Sequence, residues 1–213
     1  MKVLIVNGGP RLRGWNTAAM LEAAADGARE AGAEVESVDL YALAFKGCRS
    51  CFACQRVGAA AHCAARDELS PVLDKALEAD ALLVGSPIYF GDVTGETRSF
   101  FERLWFPGLA YDKARTVKYG KRKPVGLVFT MNVPSDAQYA PLFAQLSSTM
   151  ERFFGPTQVL TATDTLQFDD YGKYVSDLFD AEAKRRRHET VFPEDLRRAA
   201  ALGRSLVTEG CGR

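Results

Sequence analysis

Apolar positions along this chain alternate between two patterns. Short apolar runs that are typical of buried strands occupy Val3–Val6, Glu34–Leu40, Ala81–Ser86, Pro124–Thr130 and Thr157–Thr161. Longer stretches with apolar residues at helical spacing predict helices over Thr17–Ala31, Leu69–Ala79, Glu96–Trp105, Ala137–Phe154 and Pro193–Thr208. The basic run Lys184–Arg187 is interpreted as a solvated connection between elements. Strands that alternate with helices predict an α/β fold, in which helices cover both faces of a parallel sheet.

The number of strands narrows this prediction to one topology. A doubly wound sheet of five parallel strands favours the flavodoxin-like order 2-1-3-4-5, with its ligand beyond the carboxyl ends of the strands. The loops after the first, third and fourth strands should therefore converge on one site. A length of 213 residues allows one sizeable core. Since no Ser/Gly/Pro-rich linker divides the chain, residues 1–213 are expected to form a single domain.

Composition excludes several classes of function. The formal net charge is zero, so we expect neither nucleic acid nor a membrane surface as a partner. No segment approaches the roughly twenty apolar residues of a membrane span, and the N-terminal apolar run is too short for a secretory signal. Five cysteines, three of them crowded together, do not indicate a disulfide framework. These features favour a cytoplasmic protein.

The first loop, Asn7–Thr17, joins a strand to a helix and is rich in glycine. Backbone N–H groups and a helix N-terminus can hold phosphate in this geometry. Trp15 and Asn16 stand where a nucleoside-triphosphate loop needs lysine and a hydroxyl, and the GxGxxG dinucleotide pattern is missing. Asp39, at the end of the second strand, is only weak support for a ribose-binding acid.

The polar residues of this loop suit a terminal phosphate monoester. Arg11 and Arg13 offer guanidinium groups, while Asn16 and Thr17 offer side-chain donors at the helix start. The alternative is that Asn16 or Thr17 caps the helix and the arginines are solvated.

The third strand leads into Pro87–Gly91, where two aromatic residues stand side by side. Tyr89 and Phe90 could border a planar ring, and Gly91 would let backbone N–H groups approach its edge. The alternative is a buried aromatic pair at a tight turn.

Three motifs together carry a family resemblance. Asn7–Thr17, Gly85–Val93 and Glu96–Arg103 resemble the NAD(P)H-dependent FMN reductase family, and within it the iron–sulfur flavoprotein branch. The resemblance implies a flavodoxin-like fold and non-covalent FMN, with the phosphate on the first loop and the isoalloxazine along Pro87–Gly91. It also implies contacts from Thr130–Asn132, which lacks the glycine often found there. The cofactor-binding residues expected on these grounds are Gly9, Arg11, Arg13, Asn16, Thr17, Pro87, Ile88, Tyr89, Phe90, Gly91, Thr130, Met131 and Asn132.

The implied activity is that of a flavoprotein oxidoreductase, in which NAD(P)H is the co-substrate and hydride passes through flavin N5. The acceptor would be a quinone, a flavin, an azo compound or a similar small molecule. No catalytic side chain is expected, because the flavin carries the chemistry. Alternatives are one-electron transfer with ferredoxin, and a non-enzymatic flavodoxin-like carrier, which the balanced charge disfavours. The resemblance and the aromatic residues over Phe100–Phe106 and at Tyr111 favour a homodimer or a dimer of dimers.

A cysteine motif follows the second strand. Two residues separate Cys48 from Cys51 and Cys51 from Cys54, and eight residues separate Cys54 from Cys63. Such spacing can hold a [4Fe–4S] cluster, and the resemblance implies one in this region. His62 makes zinc an alternative, and four free thiols are a third. The sequence leaves the three open.

Overall fold

The computed structural model describes residues 1–12 and 14–210. The predicted phosphate ligand Arg13 and the isolated Cys211 lie outside the described residues.

The strands form one sheet that is parallel apart from one short addition. Its members are β1 (Lys2–Asn7), β2 (Glu34–Asp39), β3 (Ala81–Tyr89), β4 (Asp92–Val93), β5 (Val125–Thr130) and β6 (Thr157–Ala162). The order is β2-β1-β3-β5-β6, and the two-residue β4 pairs antiparallel with the end of β3. Without β4 this is the predicted order 2-1-3-4-5. The flavodoxin-like prediction is thus confirmed, and β4 is the one strand among the described residues that the sequence pattern missed.

Helices pack on both faces of the sheet. They are α1 (Asn16–Glu30), α2 (Ser70–Glu78), α3 (Gly95–Trp105), α4 (Ala140–Phe153), α5 (Ala181–Thr190) and α6 (Phe192–Gly210). Alternate strand residues face opposite ways. Leu4 and Leu82 accordingly lie in a core with α2, α3 and α4, whereas Val3 and Leu83 lie in a core with α1 and α6. Each core excludes water from one side of the sheet.

Helix α5 corrects the interpretation of the basic run Lys184–Arg187. These residues are helical, Lys184 is buried and Arg187 forms an ion pair with Asp195. The sequence pattern missed α5 because its apolar residues are too few to show a periodicity. Asp180 caps the helix by accepting from the amides of Glu182 and Ala183.

Helices α1 and α6 cross at very short range because each presents a glycine to the other. A side chain at Gly27 would meet the carbonyl oxygen of Ala200 at 2.0 Å, and one at Gly203 would meet that of Ala24 at 1.9 Å. The two contacts are reciprocal and involve backbone atoms on both helices. This crossing fixes the position of α1 against the sheet.

The carboxyl ends of β1, β3 and β5 lie side by side. Asn7 is in register with Gly85, and Pro87 with Thr130. The first loop is tied to β3 by a hydrogen bond from the amide of Gly8 to the carbonyl of Gly85, at 2.7 Å. The loops predicted to converge are therefore adjacent.

Candidate functional site

A pocket of about 340 Å³ opens at this edge of the sheet, within the range of small-molecule sites. Its lining includes Gly9, Arg11, Asn16 and Thr17 from the first loop, Pro87–Phe90 after β3, and Thr130–Asn132 after β5. The structure thus brings these predicted cofactor residues together. Gly91 is in the turn next to Phe90 but is not part of the lining.

The N-terminus of α1 faces this pocket without a side-chain cap. Trp15 occupies the cap position, and no described side chain accepts a hydrogen bond from the first turn. Asn16 instead donates to the carbonyl of Leu166 at 2.8 Å, and the Thr17 hydroxyl lies 2.7 Å from that of Thr130. The capping alternative for Asn16 and Thr17 is therefore wrong. The N–H groups of the first helical turn are left for an anion or water.

Arg11 lies at the mouth of the pocket. Its guanidinium stacks over the Trp15 ring, 4.3 Å from the centroid, and its Nη1 donates to the carbonyl of Gln167 at 2.6 Å. The side chain is exposed, so its remaining donors are open to solvent. Asp39, at the end of β2, accepts a hydrogen bond from the side-chain Nδ2 of Asn7 at 2.8 Å and does not line the pocket.

The turn after β3 presents an aromatic side chain to solvent at the pocket edge. Phe90 and Gly91 both have positive φ, 50° and 85°, in a two-residue turn between Tyr89 and Asp92. This is the geometry in which asparagine and glycine are preferred. Phe90 is fully exposed and Tyr89 is 44 % exposed, so the alternative of a buried aromatic pair is wrong.

The loop after β6 supplies a part of the lining that the sequence analysis missed: Thr165, Leu166 and Gln167. These residues contain no glycine, aromatic ring or charge, so no local motif marks them. The strand order could have found them, because the last strand ends at the same edge as the others.

A second, smaller pocket gathers the cysteine motif. Cys48, Cys51, Cys54 and Cys63 all line it, together with Arg103 from α3. The loop turns sharply around Cys51, since Ser50 and Phe52 have positive φ of 51° and 54°. Such left-handed residues point successive N–H groups to one side, a device found at anionic and iron–sulfur sites. The Ala53 amide hydrogen-bonds to the Cys51 thiol and lowers its pKa, whereas burial raises the pKa of Cys54.

Arg103 brings a positive charge to these thiols. It is 1 % exposed and pairs with Asp67 at 2.5 Å, and its guanidinium also donates to the carbonyls of Lys46 and Ala65. Its Nε atom is buried without a hydrogen-bond partner in the described part of the chain. A buried donor left unpaired costs free energy, so this atom fits an anionic neighbour in the pocket.

The pocket fits a metal centre in its donor chemistry but not in its present shape. Its volume is about 20 Å³, which is room for one water-sized group. Within residues 1–12 and 14–210, no three His, Cys, Asp or Glu side chains are placed as a metal-binding group. His62 hydrogen-bonds to Asp74 at 2.9 Å and does not line the pocket. A four-iron cluster would need these side chains to move.

The aromatic residues considered for a subunit interface divide into two groups. Phe100, Phe101 and Leu104 are at most 1 % exposed, so core packing accounts for them. Phe106 forms an aromatic cluster with Phe52 and Tyr111, which are 51 % and 70 % exposed.

The fold is that of an α/β protein with a flavodoxin-like sheet, and the pocket lies at the carboxyl edge of that sheet. The family model for NADPH-dependent FMN reductase matches residues 1–161. The chain therefore belongs to the NADPH-dependent FMN reductase family.

Curated relatives of this chain are consistent with the family assignment. An iron-sulfur flavoprotein of Archaeoglobus fulgidus is 38 % identical over 103 residues, which are 48 % of this chain and 48 % of that protein. This chain spans about half the length of the curated relatives it matches.

Solved structures support the fold. An NAD(P)H:quinone oxidoreductase from Methanothermobacter marburgensis is similar with a TM-score of 0.66 and 20 % identity, covering 97 % of this chain and 98 % of that one. An azoreductase is similar with a TM-score of 0.68 and 16 % identity, covering 96 % of this chain and 100 % of that one.

No helix in the described residues is long and apolar enough to cross a membrane.

Proposed function

We propose that this chain is a single FMN-binding domain that reduces its flavin with NAD(P)H and passes the electrons to a small-molecule acceptor. The observation that carries the proposal is the uncapped N-terminus of α1, which opens on a pocket bordered by Tyr89 and Phe90. An anion-binding helix end beside an aromatic turn suits a ring that carries a phosphate.

The residues of the first loop would hold the phosphate. The amides of the first turn of α1 donate to it, and the Thr17 hydroxyl and Asn16 lie beside them. Arg11 adds a charge-assisted hydrogen bond from the pocket mouth. Gly9 keeps the backbone close, because its neighbours Asn7 and Thr17 leave little room for a side chain.

The second and third loops would hold the ring. Pro87–Phe90 borders one side, and Thr130–Asn132 approaches from the neighbouring strand. FMN, when bound, supplies hydride acceptance from the nicotinamide and electron transfer to the acceptor. Because Phe90 is exposed at the pocket mouth, it would contact a planar substrate as it enters. Quinones, azo compounds and free flavins are planar and are the proposed acceptors.

The first experiment compares FMN with riboflavin. The purified protein is titrated with each ligand and binding is followed by flavin fluorescence. We expect Arg11→Ala to weaken FMN binding about tenfold and riboflavin binding less than twofold, since only FMN has the phosphate. Arg197→Ala, an exposed arginine on α6, is the control and should change neither. A colourless protein that cannot be loaded with FMN would overturn the proposal.

The second experiment measures turnover. NADH and NADPH oxidation is followed with a quinone, an azo dye and free FMN as acceptors. Oxidation that depends on an added acceptor supports the reductase. No oxidation with either nucleotide, together with flavin reduction by ferredoxin, would support a carrier instead.

A second candidate function is that of an iron–sulfur flavoprotein in one-electron transfer with ferredoxin. It is supported by the convergence of four cysteines on one pocket with the unpaired Nε of Arg103. The test is iron and acid-labile sulfide analysis of protein purified without oxygen. About four irons per chain supports the cluster, one zinc supports the alternative metal site, and neither metal supports free thiols.

We also propose that the protein works in the cytoplasm as a homodimer or a dimer of dimers. Unpaired cysteines suit a reducing compartment. The exposed aromatic cluster of Phe52, Phe106 and Tyr111 is the proposed subunit contact. Light scattering that finds only a monomer would overturn the assembly.

A further inference from the structure

One side of the candidate flavin pocket lies outside the family match. The family model ends at residue 161, whereas Thr165, Leu166 and Gln167 line the pocket. The segment 164–167 follows β6 and contains no helix or strand that would hold it in place. Its position must therefore be set by contacts with other parts of the chain.

Side-chain contacts join this segment to the loop after β5. The hydroxyl of Thr165 donates to the carbonyl of Met131 at 3.0 Å, and the side chain of Asn132 donates to that of Gln167 at 3.2 Å. Asp164 has a positive φ of 51°, a conformation that aspartate tolerates better than most residues. Two irregular loops thus meet at the floor of the pocket.

A single buried cation on α5 bonds to both loops. Lys184 is 6 % exposed, and its Nζ donates to the carbonyl of Asn132 and to the carboxylate of Asp164, each at 2.5 Å. Its ammonium also lies 5.4 Å from the centre of the Phe179 ring. Burying an ammonium is unfavourable unless it is paired and hydrogen-bonded, so these partners hold it strongly in this position.

Lys184 does not itself line the pocket, but it bonds to Asn132, which does. We propose that Lys184 is a positioning residue for the flavin: it fixes the loops after β5 and β6 so that Asn132 and Gln167 face the ligand. The inference rests on the proposed function, because the ligand is FMN. Without the lysine, the Asn132 carbonyl loses its charged donor and the Asp164 carboxylate loses its counter-ion. The backbone hydrogen bonds from Asp164 to Val133 and from Thr165 to Met131, at 2.7 and 3.0 Å, still join the two loops. The positions of Asn132 and Gln167 are nevertheless less restricted, and FMN must order them when it binds.

The chain provides a matched control in a second buried lysine. Lys123 is 2 % exposed, and its Nζ donates to the carbonyls of Ala76 and Leu77 at 2.8 and 2.7 Å, at the end of α2. It has the same ammonium group and similar burial, but it does not line the pocket, and neither acceptor of its Nζ does. Replacing it tests what the loss of a buried ammonium does to the protein as a whole.

The experiment measures FMN affinity by fluorescence titration of wild type, Lys184→Met and Lys123→Met. We expect Lys184→Met to raise the FMN dissociation constant about tenfold, equivalent to about 1.4 kcal/mol, and Lys123→Met to change it less than twofold. Absorption spectra of the bound flavin should shift for Lys184→Met alone. If Lys184→Met does not fold, Asp164→Asn removes the same ion pair from a partly exposed position and should weaken FMN binding at least threefold.

Two results would overturn the inference. One is a folded Lys184→Met variant that binds FMN like wild type; the other is equal weakening by both lysine variants, which would indicate general destabilisation. Failure of the wild-type protein to bind FMN would instead overturn the proposed function.

Discussion

The crossing of α1 and α6 makes a demanding test of the packing described above. The perturbation is Gly203→Ala, a single added methyl group. Its carbon would lie 1.9 Å from the carbonyl oxygen of Ala24, whereas ordinary contact begins near 3.4 Å. The helices would have to separate by about 1.5 Å to accommodate it, because a backbone carbonyl within a helix cannot rotate away.

The magnitude follows from two opposing effects. Alanine favours a helix interior over glycine by about 1 kcal/mol. Overpacking of a close contact costs up to about 3 kcal/mol, and a rigid backbone neighbour places this site at the upper end of that range. The free energy of unfolding should therefore fall by about 2 kcal/mol. For a chain of this size the melting temperature would drop by about 4–8 °C.

The assay is urea unfolding followed by far-ultraviolet circular dichroism. Gly27→Ala makes the reciprocal contact with Ala200 and should behave like Gly203→Ala. Gly95→Ala is the control, since a methyl group at this helical glycine meets no described atom within 4 Å. It should leave the midpoint unchanged or raise it. An unchanged or raised midpoint for Gly203→Ala would refute the close crossing.

Three further predictions concern other residues. Burial lowers the pKa of Lys123 from 10.5 to about 8, so the unfolded chain holds a proton that the folded chain releases between these pH values. Relative to Lys123→Met, wild type should gain up to about 3 kcal/mol of unfolding free energy as the pH rises from about 8 to 10.5; parallel urea midpoints across this range would contradict this. Phe90→Asn should raise the free energy of unfolding by about 1 kcal/mol, because asparagine tolerates the positive φ before Gly91 better than phenylalanine does. The same change should lower acceptor-dependent NAD(P)H oxidation, and a loss of stability would show that the turn is unstrained. Arg103→Met should lower the free energy of unfolding by about 2 kcal/mol. This loss is smaller than that for breaking a fully buried ion pair, because Asp67 is partly exposed and stays partly solvated. Thermal unfolding at the wild-type temperature would contradict the prediction.

Part of the site was readable from local sequence. Asn7–Thr17 follows a strand and carries glycines and arginines, and Pro87–Gly91 follows a strand and carries two aromatic residues and a glycine. Both the residue types and their positions therefore predicted a ligand-binding loop. The strand order then implied that these loops meet. Local chemistry also left alternatives that only contacts could exclude. Asn16 is a good capping residue by type, yet its amide is bonded to Leu166, 150 positions away.

Other parts of the site had no local signal. Gln167 lines the pocket and accepts a hydrogen bond from the side chain of Asn132. Lys184 lies behind the pocket and donates to Asp164. Lys184 stands in a run of four basic residues, and such runs are usually solvated. Whether a lysine is solvated or buried depends on acceptors supplied from elsewhere in the chain, which its own neighbours in sequence cannot specify.

The sequence alone predicted five of the six described strands and five of the six described helices in their order along the chain, because the spacing of apolar residues shows which positions must be buried. It also predicted a phosphate site on the first loop, because glycines and hydrogen-bond donors at a helix start act locally. The tertiary structure decided how closely α1 and α6 approach, that the Cys48 motif and Cys63 share a pocket with Arg103, and that Lys184 supports the candidate flavin site. These are contacts between residues distant in sequence, and their free energies depend on distance and burial in the folded chain.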